Sequence, residues 1–141
     1  MRILPIILTS EPKLIKMKIK LITPIAGLMA LTGCYEQQRD CKAFHEGKFK
    51  FEQEIDGKLM TTTFERRGNL EIETFEGRTD SASVRWVSDC EYVLTKLRPK
   101  NMQEKKAISI KILSTTDKTY NFEYGLVGSP ERRKGTVTKL D

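Results

Sequence analysis

The side chains of this sequence with the clearest chemical potential are one histidine, a group of glutamates and three cysteines. A Ser-His-Asp site needs a histidine beside its nucleophile, and His45 precedes the patterned part of the chain. Glu71, Glu73 and Glu76 lie close together in the sequence, but glycosidase carboxylates must face each other across a cleft. Because Glu71 and Glu73 share one face of a single predicted strand, we expect that face to be solvated. We therefore expect no enzymatic activity, no catalytic residue and no cofactor.

The first cysteine, Cys34, ends a segment with the pattern of an export signal. Several lysines precede an apolar run from Leu21 to Cys34, in which Thr23 and Thr32 are the only polar side chains. A cationic start, a short apolar core and small residues at the end are typical of a secretory signal. The run is shorter than the roughly 20 residues that a transmembrane helix needs.

Leu31, Thr32, Gly33 and Cys34 follow the lipobox pattern, in which an apolar residue and two small residues precede a cysteine. In this segment the chain resembles the bacterial lipoproteins. The resemblance implies cleavage before Cys34, acylation of its thiol and anchoring on the bacterial cell envelope, with the outer membrane favoured over the inner. Two or more acyl chains give stable anchoring where a single chain does not. The alternative is an ordinary signal peptide that ends near a chance cysteine.

These features divide the chain into a signal peptide at 1–33, a lipidated tether at 34–46 and a β domain at 47–141. Met17 opens a compact version of the signal, and we favour it as the true start. Residues 1–33 carry five basic side chains and one acidic one, so the net charge falls from +6 for the whole chain to +2 for the remainder. Nucleic-acid binding needs clustered positive charge on the folded domain and is not expected.

Cys41 and Cys90 remain as a pair once Cys34 is assigned to lipid. Thiols outside the cytoplasm tend to be oxidised, and a bond between these two would stabilise the fold by about 4 kcal/mol in the chain-entropy model. Two free buried thiols, or a redox or metal site, are the alternatives. Because the sequence has no CxxC motif and His45 is its only histidine, a disulfide is predicted and a metal site is not.

The chain beyond Gly47 alternates polar and apolar residues with a period of two, which is typical of half-buried antiparallel strands. Phe49 and Phe51 alternate with charged residues, for example, and Asp56-Gly57 has the composition of a hairpin turn. Seven or eight such strands are predicted, so the fold class is all-β. We expect an antiparallel meander that forms a small lipocalin-like barrel or half-barrel after the signal segment.

An immunoglobulin-like sandwich is the second candidate fold, because the β domain contains a cysteine pair and one tryptophan. Trp86 lies only four residues before Cys90, however, which is not the usual order and spacing of that fold.

The densest run of distinctive residues, Val84–Tyr92, carries a second resemblance together with Cys41 and residues 47–49. The chain resembles small β-rich envelope lipoproteins of Bacteroidetes-type bacteria, which pair a CKxFxxGxF-like start with a later WxxDCEY-like stretch. The resemblance covers about half of the chain after Cys34 and implies a fold and a location, with no activity. A DNA topoisomerase label carried by some relatives is discounted, because this short exported chain cannot hold such an enzyme's ATP site and DNA gate.

The run Val84–Tyr92 is expected to be a core strand tied to the N-terminal segment by the disulfide. Alternatively, it belongs to a contact site for a small apolar ligand or an envelope protein, formed by Arg85, Trp86, Tyr92, Tyr120 and Tyr124. The predicted function is that of a membrane-anchored lipoprotein with a non-enzymatic β domain that binds a small ligand or a protein partner. An open cavity of a few hundred Å³ favours ligand binding, whereas a filled interior favours a structural or assembly accessory.

Overall fold

A computed structural model of the chain describes residues 39–141. The signal peptide, the lipobox with Cys34 and the proposed start at Met17 lie outside the described residues and stay predictions. Within residues 39–141, no helix has the length and apolar character needed to cross a bilayer.

Eight antiparallel strands form one closed barrel. The strands are β1 (Gly47–Ile55), β2 (Lys58–Arg67), β3 (Leu70–Phe75), β4 (Arg78–Ser88), β5 (Glu91–Lys96), β6 (Ile108–Thr115), β7 (Thr119–Leu126) and β8 (Arg133–Lys139). Each strand pairs with the next along the chain, and β8 closes the ring by pairing with β1. The predicted all-β meander and barrel is confirmed. The half-barrel and the sandwich are wrong, because a single sheet closes on itself and leaves no open edge.

The hairpin turn predicted at Asp56-Gly57 is confirmed. Both residues have positive φ, 52° and 75°, which suits the tight turns whose twist matches that of paired strands. Glu76 and Gly77 repeat this geometry between β3 and β4, with φ of 48° and 74°. These two-residue turns set the register of β1 with β2 and of β3 with β4, and so decide which side chains face the interior.

Residues before β1 close one end of the barrel, which we call the floor. A 3-10 helix at Lys42–Phe44 lies against this end, and the ring of Phe44 is buried edge-on to Tyr120, with centroids 5.2 Å apart. The ring of Phe49, on β1, also packs against Tyr120, and the two ring centroids lie 6.2 Å apart. The floor is therefore packed with aromatic side chains and admits no passage through the barrel.

The predicted disulfide between Cys41 and Cys90 is present. It joins the segment before β1 to the turn between β4 and β5, so the expectation that this part of the chain is tied to the N-terminal segment is confirmed. The disulfide and the buried ring of Phe44 hold residues 41–46, the end of the segment predicted as a tether, on the barrel.

The opposite end of the barrel, which we call the mouth, carries the β1–β2 and β3–β4 turns and two longer connections, at 97–107 and 127–132. Loops are more mobile and more open to variation than the strands that they connect, and they often carry function. Because the floor is packed with side chains, the interior is reached from the mouth.

Candidate functional site

The floor of the interior is built around Arg66, whose side chain has no exposed surface. Its Nε and Nη2 lie 3.0 Å and 2.9 Å from the same carboxylate oxygen of Glu71. Its Nη1 donates to the backbone oxygen of Phe44 at 2.8 Å, and Nη2 also donates to the hydroxyl of Tyr92 at 2.7 Å. These bonds offset the cost of taking the guanidinium out of water.

Four aromatic rings complete the surroundings of the Arg66 guanidinium. Its central carbon lies between 4.5 Å and 5.6 Å from the centroids of Tyr92, Phe49, Phe64 and Trp86. A cation at this distance from ring faces is attracted by their negative quadrupole potential. The positive charge is thus enclosed on all sides and is unavailable to a ligand in the cavity above it.

The strand β3 faces the interior with the opposite set of side chains from the one expected. Glu71 is only 4% exposed, whereas Leu70 and Ile72 lie outside at 38% and 41%. The expectation of a solvated Glu71 is therefore wrong, and the pairing of β3 with β2 explains why: Glu71 lies opposite Arg66, on the same face of the sheet. Burial raises the pKa of Glu71, and the guanidinium of Arg66 opposes this rise.

Above the floor, the interior contains an open cavity of about 330 Å³, which we call the lumen. Most of its wall is apolar, including Phe51, Phe64, Leu94, Ile110, Phe122 and Tyr124. A glycine on β8 makes room for two of these rings. A β carbon at Gly135 would lie 2.6 Å from the ring of Phe51 and 2.9 Å from the ring of Phe122.

The polar and apolar parts of the lumen wall lie on different sides of the barrel. The aromatic side is contributed by β1, β2 and β7, where Phe51 and Phe122 pack edge-to-face with centroids 5.5 Å apart. The carboxylates of Glu71 and Glu73 come from β3. Because β3 and β7 are half a turn apart in the ring of strands, the carboxylates face the aromatic rings of β7 across the lumen.

Glu73 lies nearer the mouth than Glu71 and, unlike Glu71, is exposed. Partial desolvation of its carboxyl group and the neighbouring carboxylate of Glu71 raise its pKa, and the charge of Lys96 opposes this rise. Lys96 itself is bound by two other acids, with Nζ 3.2 Å from Asp80 and 3.3 Å from Glu104. A crevice of about 320 Å³ at the mouth shares both lumen carboxylates, so the lumen is continuous with the surface.

Of the five contact residues suggested by the sequence, three line the lumen and two do not. Tyr92, Tyr120 and Tyr124 line the lumen, although the hydroxyls of Tyr92 and Tyr120 lie deep in the floor, 3.5 Å apart. Trp86 faces inward at the level of the floor, below the cavity. Arg85 is exposed on the outer face of β4 and is not brought to the lumen.

Sequence reasoning missed Arg66 and also the inward position of Glu73. A signal for both was available in the hairpin of β2 and β3. Phe64 and Arg66 are two residues apart on one strand, so they lie on the same face of the sheet and Arg66 faces inward with Phe64. A turn at Gly68 then places Glu71 opposite Arg66. An arginine and a glutamate that pair across a hairpin on its apolar face predict a buried ion pair.

Within residues 39–141, no group of three or more histidine, cysteine, aspartate or glutamate side chains is arranged to hold a metal ion. No protein-family model matches this chain, and no curated protein matches it.

Proposed function

We propose that this chain is a membrane-anchored envelope lipoprotein whose barrel binds a small ligand in its lumen without chemical conversion. The observation that carries the proposal is the cavity of about 330 Å³ with a largely aromatic and aliphatic wall. Small-molecule sites are typically concave, mostly apolar and about 300–1,000 Å³ in volume, with a few polar groups that orient the ligand. The cavity disfavours the alternative function, that of a structural or assembly accessory, because such a protein needs no cavity.

The rigid floor supports this proposal. The disulfide, the buried ion pair and the packed rings hold the lower walls in place without any contribution from a ligand. A site that exists before the ligand arrives avoids the cost of ordering it during binding. The lumen is therefore expected to bind without rearrangement of the strands.

Thr62 and Thr61 offer a matched test of the lumen, because they are neighbours on β2 that face opposite ways. Thr62 lines the lumen, whereas Thr61 is exposed outside. We expect Thr62→Trp to fill the cavity and to weaken the binding of naphthylmethanol, a neutral aromatic probe, by at least about tenfold. Thr61→Trp should bind as the wild type does.

Calorimetric titration of both variants decides between the possibilities. Equal affinity of Thr62→Trp and Thr61→Trp would place the probe elsewhere and would contradict binding in the lumen. Absence of measurable binding to the wild type would favour the accessory function instead.

The proposed anchor also gives the barrel an orientation. Arg39 and Asp40 bond to the floor, through the backbone oxygen of Ile112 at 3.1 Å and the hydroxyl of Thr115 at 2.9 Å. Arg39 lies five positions after Cys34, and five extended residues reach at most about 18 Å. We therefore propose that the floor lies on the side of the bilayer surface and that the mouth opens away from it.

Lipidation itself is tested by metabolic labelling. We expect labelled palmitate to enter the wild-type chain and to be lost completely from Cys34→Ser, which should also leave the membrane fraction. Thr32→Ser keeps a small residue before the cleavage site and serves as the control that retains the label. Equal labelling of Cys34→Ser and wild type would refute the anchor.

A further inference from the structure

The lumen has a charge preference that its volume alone does not reveal. The charged side chains that line it in the described barrel are Glu71 and Glu73, both acidic. The charge of Glu71 is compensated by Arg66 at 2.9 Å. Glu73 has no cation within ion-pair distance among residues 39–141, because Lys96 is held by Asp80 and Glu104. The lumen therefore presents beside its mouth one carboxylate that makes no ion pair within the described barrel.

The wall opposite these acids is also suited to a cation. Phe51, Phe122 and Tyr124 form a continuous aromatic surface, with centroids 5.5 Å apart between neighbours. Ring faces attract ammonium groups and also accept the flat apolar body of an aromatic ligand. A carboxylate ligand, in contrast, would meet the like charge of Glu73 at the mouth of the lumen.

We propose that the ligand of the lumen is an amphipathic cation, a small molecule with an apolar or aromatic body and an ammonium group. The body packs against Phe51 and Phe122, and the ammonium group forms an ion pair with Glu73. This inference rests on the proposed function, since it names the ligand class of the same site. It also predicts that fatty acids and other apolar anions bind weakly.

Three probes with the same naphthyl body separate charge from volume: naphthylmethylamine, naphthylmethanol and naphthylacetate. The full chain is placed in nanodiscs of zwitterionic lipid, and the heat of titration into empty nanodiscs is subtracted. We expect the amine to bind about fivefold more tightly than the alcohol, which corresponds to one partly exposed ion pair. The acetate should bind more weakly than the alcohol.

Glu73→Gln removes the charge and keeps the shape, and it should bring the amine and the alcohol within twofold of each other. Glu54→Gln, on the outer face of β1, is the control and should keep the fivefold preference. A wild type that binds the alcohol without preferring the amine would overturn the inference and leave ligand binding intact, as would an unchanged preference in Glu73→Gln. Failure of all three probes to bind would overturn the proposed function as well.

Discussion

Arg66→Met should lower the free energy of unfolding by about 3–5 kcal/mol, the usual loss when one partner of a buried ion pair is removed. The substitution leaves the carboxylate of Glu71 buried without its cation, and it also leaves the Phe44 carbonyl and the Tyr92 hydroxyl without their donor. Urea denaturation followed by the fluorescence of Trp86, the only tryptophan, measures this change at the floor itself.

Arg67→Met is the matched control, because Arg67 is the next residue on β2 and its side chain is 79% exposed. We expect it to change stability by less than about 0.5 kcal/mol. The double variant Arg66→Met/Glu71→Leu removes both charges, and it should recover a substantial part of the loss because no uncompensated charge remains. Equal stabilities of Arg66→Met and Arg67→Met would contradict the buried pair.

Loss of the disulfide between Cys41 and Cys90 is the second change with a large expected effect. The bond closes a loop with a sequence separation of 49 residues. Breaking it should cost about 4 kcal/mol according to the chain-entropy model. Cys41→Ala/Cys90→Ala is the variant of choice, since alanine leaves no new polar group in the site of the buried Cys41 side chain.

Reductant provides the control for this second prediction. It should lower the urea midpoint of the wild type towards that of Cys41→Ala/Cys90→Ala and have no effect on the double variant. Ready alkylation of Cys41 and Cys90 in unfolded protein that was never exposed to reductant would show that the bond does not form.

The strands and turns were predictable because they depend on local patterns. Period-two alternation around Phe49 and Phe51 and the pair Asp56-Gly57 each specify a conformation that needs no knowledge of the rest of the chain. The cysteine pair was also predictable, since the assignment of Cys34 to lipid leaves two cysteines and the predicted export signal favours their oxidation.

The inward face of β3 was not predicted, because its pattern is ambiguous. Leu70 and Ile72 alternate with Glu71 and Glu73, and hydrophobicity alone assigns the apolar pair to the core. Pairing with β2 reverses this assignment, since Glu71 must lie opposite Arg66. Long-range register therefore overrides the local preference of the strand.

The lumen was also beyond sequence reasoning. Whether Phe51 and Phe122 fill the interior or leave space depends on their side-chain orientations and on the absence of a side chain at Gly135. The sequence indicates that aromatic residues face inward but not how much volume they leave between them. For this reason the sequence could not distinguish an interior with a cavity from a filled one.

Binding of a small ligand inside the lumen of the barrel can be tested by locating a bound probe. We expect a crystal structure of the chain with naphthylmethanol to show the naphthyl rings between Phe51, Phe122 and Ile110, above the floor formed by Arg66. The strands should stay in place. A lumen without the probe at saturating concentration, or naphthyl rings bound only on the outer surface of the barrel, would contradict ligand binding in the lumen.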